Sequence, residues 1–458
     1  MNEHEFEDLH YKDAPQIVTE LPGPKSKLLF EKQDRFETRA VRYVRHFPSA
    51  WESGKGATIR DIDGNLFIDW FTGPAVLNVG HGNPKVIEAA IVQLRKLSHV
   101  LDVPTEARIN FLEKMQSILP GDLNGNGKIF FCVSGSDANE AAIKLSRYVT
   151  KKQTLISFDG ALHGMTMGAL AVSSLSPMKT DIGPLMPGVF RAPYAYCYRC
   201  PFNRSVEDCS LECAEYLRHI FRDPYSGLSE PAGIIVEPAQ GEGGYIFPPN
   251  EFLKRLKEIA DENCIPLIVD EIQTGLGRTG KMWASEWSGI TPDILTISKS
   301  IAAGIPIAAI AYRKEYDDQL PDVFHLGTYR GNPVGCAAGF EVMKFIQEAQ
   351  LPERTLRLGK IMIEALRKTQ EESKYLGDVR GKGLMIGLEF VKDKKTKDTA
   401  QDICRDVLSK CYKMGLVAMK AGRWGNCIRL APPLVITDQL VLKGLEIMQK
   451  AIKSVNVS

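Results

Sequence analysis

This chain of 458 residues has almost no excess of positive over negative charge, and its apolar runs are short. Lys and Arg total 57 against 56 Asp and Glu, which gives a formal net charge of +1. This balance gives no reason to expect nucleic acid or an anionic membrane surface as a partner. The most apolar run, residues 301–312, is shorter than a membrane span. The first 30 residues lack the apolar core of a signal peptide, so we predict a soluble cytoplasmic protein.

The ten cysteines are expected to be mostly reduced thiols, because the chain is long and carries no secretion signal. Four of them form a group, Cys197-x-x-Cys200 followed by Cys209-x-x-x-Cys213. This spacing fits zinc ligands, a disulfide, or packed thiols in an insertion at about 194–230. We favour packed thiols and assign no metal ligand.

Two buried strands place an acid and a lysine at the same edge of a predicted sheet. Residues 266–269 are apolar and are followed by Asp270, and residues 293–298 form a second strand that is followed by Lys299. Strands without a polar face are typical of parallel sheets covered by helices, whose ligands lie at the carboxyl ends of the strands. A buried charge without a partner is costly. Pyridoxal phosphate serves both residues, since its aldehyde condenses with a lysine amine and its pyridine nitrogen pairs with a carboxylate.

A glycine-containing turn offers a site for an anion. Residues 128–133 are predicted as a strand, and Gly135 and Ser136 follow in the turn that opens the next helix. In this geometry free backbone N–H groups and the positive end of the helix dipole bind phosphate. The alternative is an ordinary helix start in which Asp137 and Glu140 form a capping box.

Strands and helices alternate through the middle of the chain, which predicts an α/β domain with a mainly parallel sheet. Beyond about residue 340 the pattern changes to that of an α+β domain. We predict an N-terminal arm and small-domain part at 1–75, a large domain at 76–340 and a C-terminal small domain at 341–458. The remaining predicted elements are a hairpin at 57–69, strands at 154–158, 189–191, 233–236, 380–391, 416–420 and 427–430, and helices at 84–97, 105–119, 211–221, 251–260, 342–348, 399–414 and 438–454.

Motifs along most of the chain resemble the class III, fold-type I pyridoxal phosphate aminotransferases, the group of the ornithine and gamma-aminobutyrate aminotransferases. The resemblance runs from about residue 40 to 450 and implies a large domain with a mainly parallel central sheet plus a smaller α+β domain. The motifs are Asp61-x-Asp63-Gly64-Asn65, Gly80-His81, Ser134-Gly135-Ser136-Asp137-Ala138-Asn139-Glu140, His163-Gly164, Glu237-Pro238-x-Gln240-Gly241-Glu242-Gly243-Gly244, Asp270-Glu271-x-Gln273-Thr274-Gly275-x-Gly277-Arg278-Thr279-Gly280, Ser298-Lys299, Gly327-Thr328-Tyr329-x-Gly331-Asn332-Pro333 and Arg429-x-x-Pro432-Pro433-Leu434.

The resemblance implies a role for individual residues at a pyridoxal phosphate site. Lys299 would bond to the cofactor aldehyde and later shuttle a proton, and Asp270 would keep the pyridine nitrogen protonated. Thr328 would reach the phosphate bound by the neighbouring subunit, so a homodimer with a shared active site is implied. The other implied cofactor-binding residues are Gly135, Ser136, Leu162, His163, Glu237, Ile272 and Gln273.

The implied substrate residues are Arg429, Glu242 and Met165. Arg429 suits a substrate carboxylate, because a guanidinium binds carboxylate in a bidentate manner, and Glu242 would neutralise Arg429 when no second carboxylate is present. Two positions depart from the family pattern. Leu162 replaces an aromatic residue that stacks on the ring, and Met165 replaces the arginine of the gamma-aminobutyrate branch. Met165 and its neighbours look more like the diaminobutyrate aminotransferases.

The resemblance implies a transaminase that takes an amino group from an amino acid or terminal amine and passes it to a 2-oxo acid by ping-pong exchange. The alternative is a racemase or epimerase on the same scaffold, because the run 135–139 also occurs in the epimerases of this group. A decarboxylating transaminase, or an interaction protein that binds cofactor or zinc without catalysis, is less favoured.

Overall fold

The computed structural model describes residues 3–41 and 46–455. The chain divides into two compact units, one of residues 1–84 with 348–458 and one of residues 85–347. The predicted domain ranges include positions 1–2, 42–45 and 456–458, which lie outside the described residues.

Fourteen α-helices and fifteen strands form most of the regular structure of the described residues. The helices are α1 (Glu3–Glu7), α2 (Pro24–Phe36), α3 (Thr72–Ala75), α4 (Pro84–Lys96), α5 (Glu106–Gln116), α6 (Gly135–Thr150), α7 (Met167–Val172), α8 (Glu212–Arg222), α9 (Asn250–Glu262), α10 (Lys314–Asp317), α11 (Pro333–Glu348), α12 (Leu351–Glu372), α13 (Gln401–Lys413) and α14 (Asp438–Val455). The strands are β1 (Trp51–Lys55), β2 (Thr58–Asp61), β3 (Leu66–Asp69), β4 (Lys128–Cys132), β5 (Thr154–Phe158), β6 (Val189–Ala192), β7 (Pro231–Val236), β8 (Leu267–Asp270), β9 (Ile294–Ile297), β10 (Ala308–Tyr312), β11 (Leu376–Lys382), β12 (Met385–Phe390), β13 (Leu416–Val417), β14 (Met419–Ala421) and β15 (Cys427–Leu430).

The unit of residues 85–347 is built on a seven-stranded sheet in the order β4-β10-β9-β8-β7-β5-β6. Strand β10 is antiparallel to both of its neighbours, and β6, β5, β7, β8 and β9 run parallel to one another. Because β4 and β9 are each antiparallel to β10, they point the same way. The prediction of a mainly parallel sheet is confirmed, and six strands (β4, β5, β6, β7, β8 and β9) end at one edge of this sheet.

Burial on both faces explains why these strands are uniformly apolar. Every residue of β8 and β9 is buried. Helix α6 lies close against the sheet through small side chains, among them Ala138, Ala141 and Ala142. Ser146 of this helix donates a hydrogen bond to the carbonyl oxygen of Ala232 in β7 (2.7 Å). The close contact fixes the start of α6 at the edge where the strands end.

The unit formed by the chain termini contains two four-stranded sheets, β1-β2-β3-β13 and β11-β12-β15-β14. The predicted hairpin at 57–69 is confirmed as β2 and β3, which pair antiparallel. The sequence interpretation missed two features of this unit. The stretch 380–391 is a hairpin of β11 and β12 rather than one strand, and α12 was not predicted. A left-handed Gln350 (φ 49°) separates α11 from α12, and Pro352 in the first turn of α12 is the signal in the sequence that marks this break.

Strand β10 was also missed, because residues 301–312 were considered only as an apolar run. None of the helices in the described ranges 3–41 and 46–455 is long and apolar enough to cross a membrane.

Candidate active site

A cavity of about 240 Å³ lies at the edge where β4, β5, β7, β8 and β9 end. Its volume is a little below the roughly 300–1,000 Å³ found for small-molecule sites. Most of the predicted site residues line it together, although they come from five separate segments of the chain. These are Gly135, Ser136, Leu162, His163, Glu237, Glu242, Asp270, Ile272, Gln273 and Lys299.

Asp270, the last residue of β8, is held by three hydrogen bonds. Its Oδ2 accepts from Asn139 Nδ2 (2.9 Å) and from His163 Nδ1 (2.8 Å). Its Oδ1 accepts from the backbone N–H of Ile272 (3.1 Å). A carboxyl group that is only 4 % exposed needs such donors, because a buried polar group without partners is costly. The result is a carboxyl group held in one orientation at the carboxyl end of a central strand.

Asn139 also belongs to this arrangement. It is part of the motif at residues 134–140, but no role was predicted for it. Its amide donates both to Asp270 and to the carbonyl oxygen of His163 (2.6 Å). The available signal was an amide on the buried face of α6, with Ala142 and Ile143 one turn later, where a polar side chain needs partners.

His163 is buried, and its position is set on two sides. Its backbone N–H donates to Ser173 Oγ (2.8 Å), and its Nδ1 donates to Asp270. Its Nε2 is buried and has no hydrogen-bonding partner among the described residues. The imidazole is therefore fixed beside the carboxylate and is not in contact with solvent.

Glu237 connects two of the loops that border the cavity. Its Oε1 accepts from the N–H of Leu162 (3.0 Å), and its Oε2 accepts from the N–H of Gly241 (2.8 Å). Burial raises the pKa of Glu237 to about 7, and the charge of Asp270 acts in the same direction. The sequence interpretation included Glu237 but did not anticipate that it holds Leu162 in place.

Lys299 follows β9 and has a left-handed backbone, with φ 45°. This conformation costs a non-glycine residue about 1–2 kcal/mol, and such strain is common at functional sites. Lys299 opens a short 3₁₀ turn, residues 299–302, whose other members are buried. The fold therefore holds the lysine in an unfavourable conformation at the cavity.

The start of α6 forms a second face of the cavity. Ser134 caps the helix, its Oγ accepting from the N–H of Asp137 (3.2 Å). The capping-box alternative is wrong, because Glu140 instead caps α7 by accepting from Thr166 Oγ1 and from the N–H groups of Gly168 and Ala169 (2.6–3.0 Å). The first-turn N–H groups of a helix have no partner within it.

Glycines keep this part of the cavity open. A Cβ on Gly135 would lie 3.0 Å from Ile272 Cδ1, and one on Gly164 would lie 2.4 Å from Ser136 Oγ. Ser136 Oγ also accepts from the N–H of Met165 (3.1 Å). A cradle of this kind admits a small anion close to the helix N-terminus.

Three predicted site residues do not line the cavity. Thr328 is exposed in the segment between α10 and α11, and Met165 is 55 % exposed. Arg429 belongs to the other unit, where it lies on β15 and is 2 % exposed.

The residues of the cavity fit pyridoxal phosphate. An oriented carboxylate (Asp270) suits the pyridine nitrogen, the amine of Lys299 suits the aldehyde, and the glycine-lined start of α6 suits the phosphate. Leu162 and Ile272 supply apolar surface for a ring. Each part of the cofactor therefore has a chemically matched group in the cavity.

Comparison with known proteins identifies the class. Residues 40–452 match the family model "Aminotransferase class-III", so the chain belongs to the class III aminotransferase family. The protein is a pyridoxal phosphate-dependent aminotransferase, as the sequence motifs predicted.

Particular relatives are similar over most of their length. A diaminobutyrate–2-oxoglutarate aminotransferase of Rhizobium meliloti is 39 % identical, over 89 % of this chain and 88 % of its own. A leucine/methionine racemase of Thermococcus litoralis is also 39 % identical, over 93 % and 95 %. The solved structure of an ornithine aminotransferase from Toxoplasma gondii, described as partly occupied by pyridoxal phosphate, superposes with a TM-score of 0.82 at 28 % identity, covering 97 % of this chain and 96 % of its own.

Proposed function

We propose that this aminotransferase moves the terminal amino group of a diamino acid or related amine to a 2-oxo acid such as 2-oxoglutarate. The observation that carries the catalytic part is the strained Lys299 at the end of β9, beside β8 and its terminal Asp270, on one cavity. The donor and acceptor classes are supported by the diaminobutyrate–2-oxoglutarate aminotransferase relative.

In this proposal each side chain has a defined task. Lys299 Nζ would hold the cofactor through its aldehyde group and would take the proton from the substrate carbon that carries the amino group. When bound, pyridoxal phosphate supplies an electron sink for the charge that then develops. Asp270 keeps the pyridine nitrogen protonated, because Asn139 and His163 hold its carboxylate in place.

The remaining cavity residues bind and orient. Gly135 and Ser136 bind the phosphate at the start of α6, and Gln273 donates to the phenolic oxygen. Ile272 and Leu162 contact the ring, and Glu237 fixes Leu162 through its backbone N–H. Because Leu162 is aliphatic, apolar contact replaces aromatic stacking.

For the substrate, we assign the carboxylate to Arg429 and the neutralisation of Arg429 to Glu242. With Met165 in place of arginine, the protein offers no positive charge at that position for a distal carboxylate. This favours donors that end in an amine over donors that end in an acid.

The assignment of Lys299 is tested by reduction of the holoenzyme with borohydride. The visible absorption should disappear and the label should be on Lys299, and Lys299→Ala should lose turnover. A label on another lysine would show that the assignment is wrong.

We further propose that the enzyme is a homodimer with a shared site, located in the cytoplasm. Helix α4 exposes an apolar stripe that a second copy could cover, with Ile87 46 %, Ile91 37 % and Leu94 59 % exposed at helical spacing. Thr328 is exposed and free to reach a phosphate bound by the partner.

Mixing inactive subunits tests the shared site. Lys299→Ala and Thr328→Glu homodimers should both be inactive, but their 1:1 mixture should recover about a quarter of the wild-type activity, since half of the dimers are mixed and each has one intact site. Lys299→Ala mixed with Asp270→Ala is the matched control and should recover none, because both residues act within their own subunit. Recovery in the control, or none in the first mixture, would contradict the shared site.

A racemase is the second candidate, because a relative named as a leucine/methionine racemase is as similar as the aminotransferase. Racemisation needs a proton donor on the opposite face of the carbon. His163 is the nearest titratable side chain, but it is buried and bound to Asp270, which disfavours this role.

The two functions are separated by supplying one enantiomer of a good donor without any oxo acid. The aminotransferase should convert at most one equivalent per site. Accumulation of the opposite enantiomer over many turnovers, without oxo acid formation, would favour the racemase.

A further inference from the structure

The cysteine group outside the active site comes together around one small cavity. Cys197 begins a 3₁₀ turn, Cys200 follows that turn, and Cys213 is in the first turn of α8. These three and Cys209 line a common space of about 20 Å³. A space of this size holds a single water molecule or ion. All four are free thiols.

Because the four thiols border the same small space, a single cation placed there would act on all of them. Such a cation deprotonates a thiol that coordinates it.

Apart from a ring contact between Phe202 and Tyr216 of α8 (6.1 Å between centroids), the segment that joins the two pairs makes few contacts with the rest of the protein. Residues 201–208 form no helix or strand and are mostly exposed. The polar side-chain contacts of this segment are local ones, such as the ion pair between Arg204 and Glu212 (2.9 Å). A short loop without a core is the kind of segment that a metal or disulfide commonly holds together.

We propose that Cys197, Cys200, Cys209 and Cys213 bind one Zn²⁺ ion as a closed structural site. Zinc is favoured because four thiolates in a Cys-x₂-Cys and Cys-x₃-Cys arrangement satisfy its tetrahedral coordination without an open position. Each thiol gives up its proton to solvent on binding. A larger cavity of about 610 Å³, bordered by Cys197, Cys200 and Cys209, provides the path by which the ion enters.

Binding requires the loop to move. Within residues 3–41 and 46–455, no three His, Cys, Asp or Glu side chains are already placed so that they could hold a metal ion. The exposed residues 203–208 can bring Cys209 towards the other three thiols, whereas Cys213 is held in place by the packing of α8. The ion would therefore fold the loop as it binds.

The site is separate from catalysis. It shares no lining residue with the cofactor cavity. Zinc should therefore stabilise the enzyme without changing its turnover number.

The holoenzyme, purified without added metal and treated with a chelator, is titrated with Zn²⁺ and with Co²⁺. We expect about one ion per chain and, for Co²⁺, the red absorption bands of tetrahedral thiolate coordination, which lie apart from the absorption of the cofactor. The melting temperature should rise by several degrees with zinc, while turnover stays the same.

Cys197→Ser combined with Cys209→Ser should abolish the cobalt bands and the zinc-dependent stabilisation. Cys264→Ser, which removes an exposed thiol outside the group, is the matched control and should change neither. Should the double variant fold poorly, Cys200→Ser alone should weaken zinc binding at least tenfold.

Three results would overturn the proposal. One is the absence of metal uptake by the wild-type protein. Another is a disulfide among the four cysteines, found by mass spectrometry in protein prepared without reductant. The third is cobalt bands that persist in the double variant, which would place the ion elsewhere.

Discussion

Replacing Asn139 by alanine tests whether Asp270 can bind the cofactor only when Asn139 of α6 holds its carboxylate in place. The change removes two hydrogen bonds, one to the Asp270 carboxylate (2.9 Å) and one to the carbonyl oxygen of His163 (2.6 Å). A hydrogen bond to a charged group contributes about 1.5–3 kcal/mol and a neutral one about 0.5–1.5 kcal/mol. We therefore expect the cofactor-free protein to lose about 2–4.5 kcal/mol of stability.

The effect on cofactor binding should be equally clear. If the bond to the carboxylate is needed to present Asp270 to the pyridine nitrogen, its loss should weaken cofactor affinity by about 10- to 100-fold, since about 1.4 kcal/mol is a factor of ten. The assay is a titration of the cofactor-free enzyme followed by visible absorption. Asn139→Asp should be worse than Asn139→Ala, because it sets a second carboxylate against Asp270.

Ser146→Ala is the matched control, because it removes a buried hydrogen bond of the same helix that points to β7 instead of the site. It should cost about 1 kcal/mol of stability and leave cofactor affinity unchanged. If Asn139→Ala bound the cofactor as tightly as Ser146→Ala does, the argument that Asn139 positions Asp270 would be refuted.

Three further predictions concern residues in and around the same cavity. Burial raises the pKa of Glu237 from 4.5 to about 7, so the folded protein binds this proton more tightly than the unfolded chain does. The protein should therefore lose up to about 3 kcal/mol of stability as pH rises from 4.5 to 7. Urea unfolding of the cofactor-free protein should show that this pH dependence is reduced in Glu237→Gln and unchanged in the exposed Glu113→Gln. Met165→Arg should lower KM for donors with a distal carboxylate, whereas Met167→Arg should not, as steady-state kinetics would reveal; equal effects would mean that charge alone is responsible. Asp270→Asn should retain the fold by circular dichroism but lose at least about 100-fold in kcat, and near-normal turnover would contradict its role.

The sequence allowed the central sheet and the edge where its strands end to be predicted, because apolar strands with charged residues after them leave a clear local signal. Asp270 and Lys299 were found in this way. Strand β10 is equally apolar, but it was missed because residues 301–312 were considered only as one apolar run. The break between α11 and α12 was missed because the left-handed position is occupied by Gln350 instead of glycine, although Pro352 in the first turn of α12 was an available signal.

Hydrogen-bond partners were harder to predict than positions. Glu140 has the right spacing for a capping box with Asp137, yet it caps a different helix. Asn139 and Glu237 act by holding other residues, and only the three-dimensional structure shows which ones. The roles of Thr328 and Arg429 depend on resemblance, because neither residue lines the cavity.

The position of β10 has a consequence for the order in which this enzyme can be assembled. Among the described strands, β4 is bonded to β10 alone, and β10 lies about 180 residues later in the chain. During synthesis, the strand that leads into the start of α6 therefore has no neighbour to pair with until residues 308–312 have emerged. Such distant pairing is slow and occurs late. A ribosome-bound chain that ends before residue 308 should fail to retain the cofactor, even though it already contains Lys299.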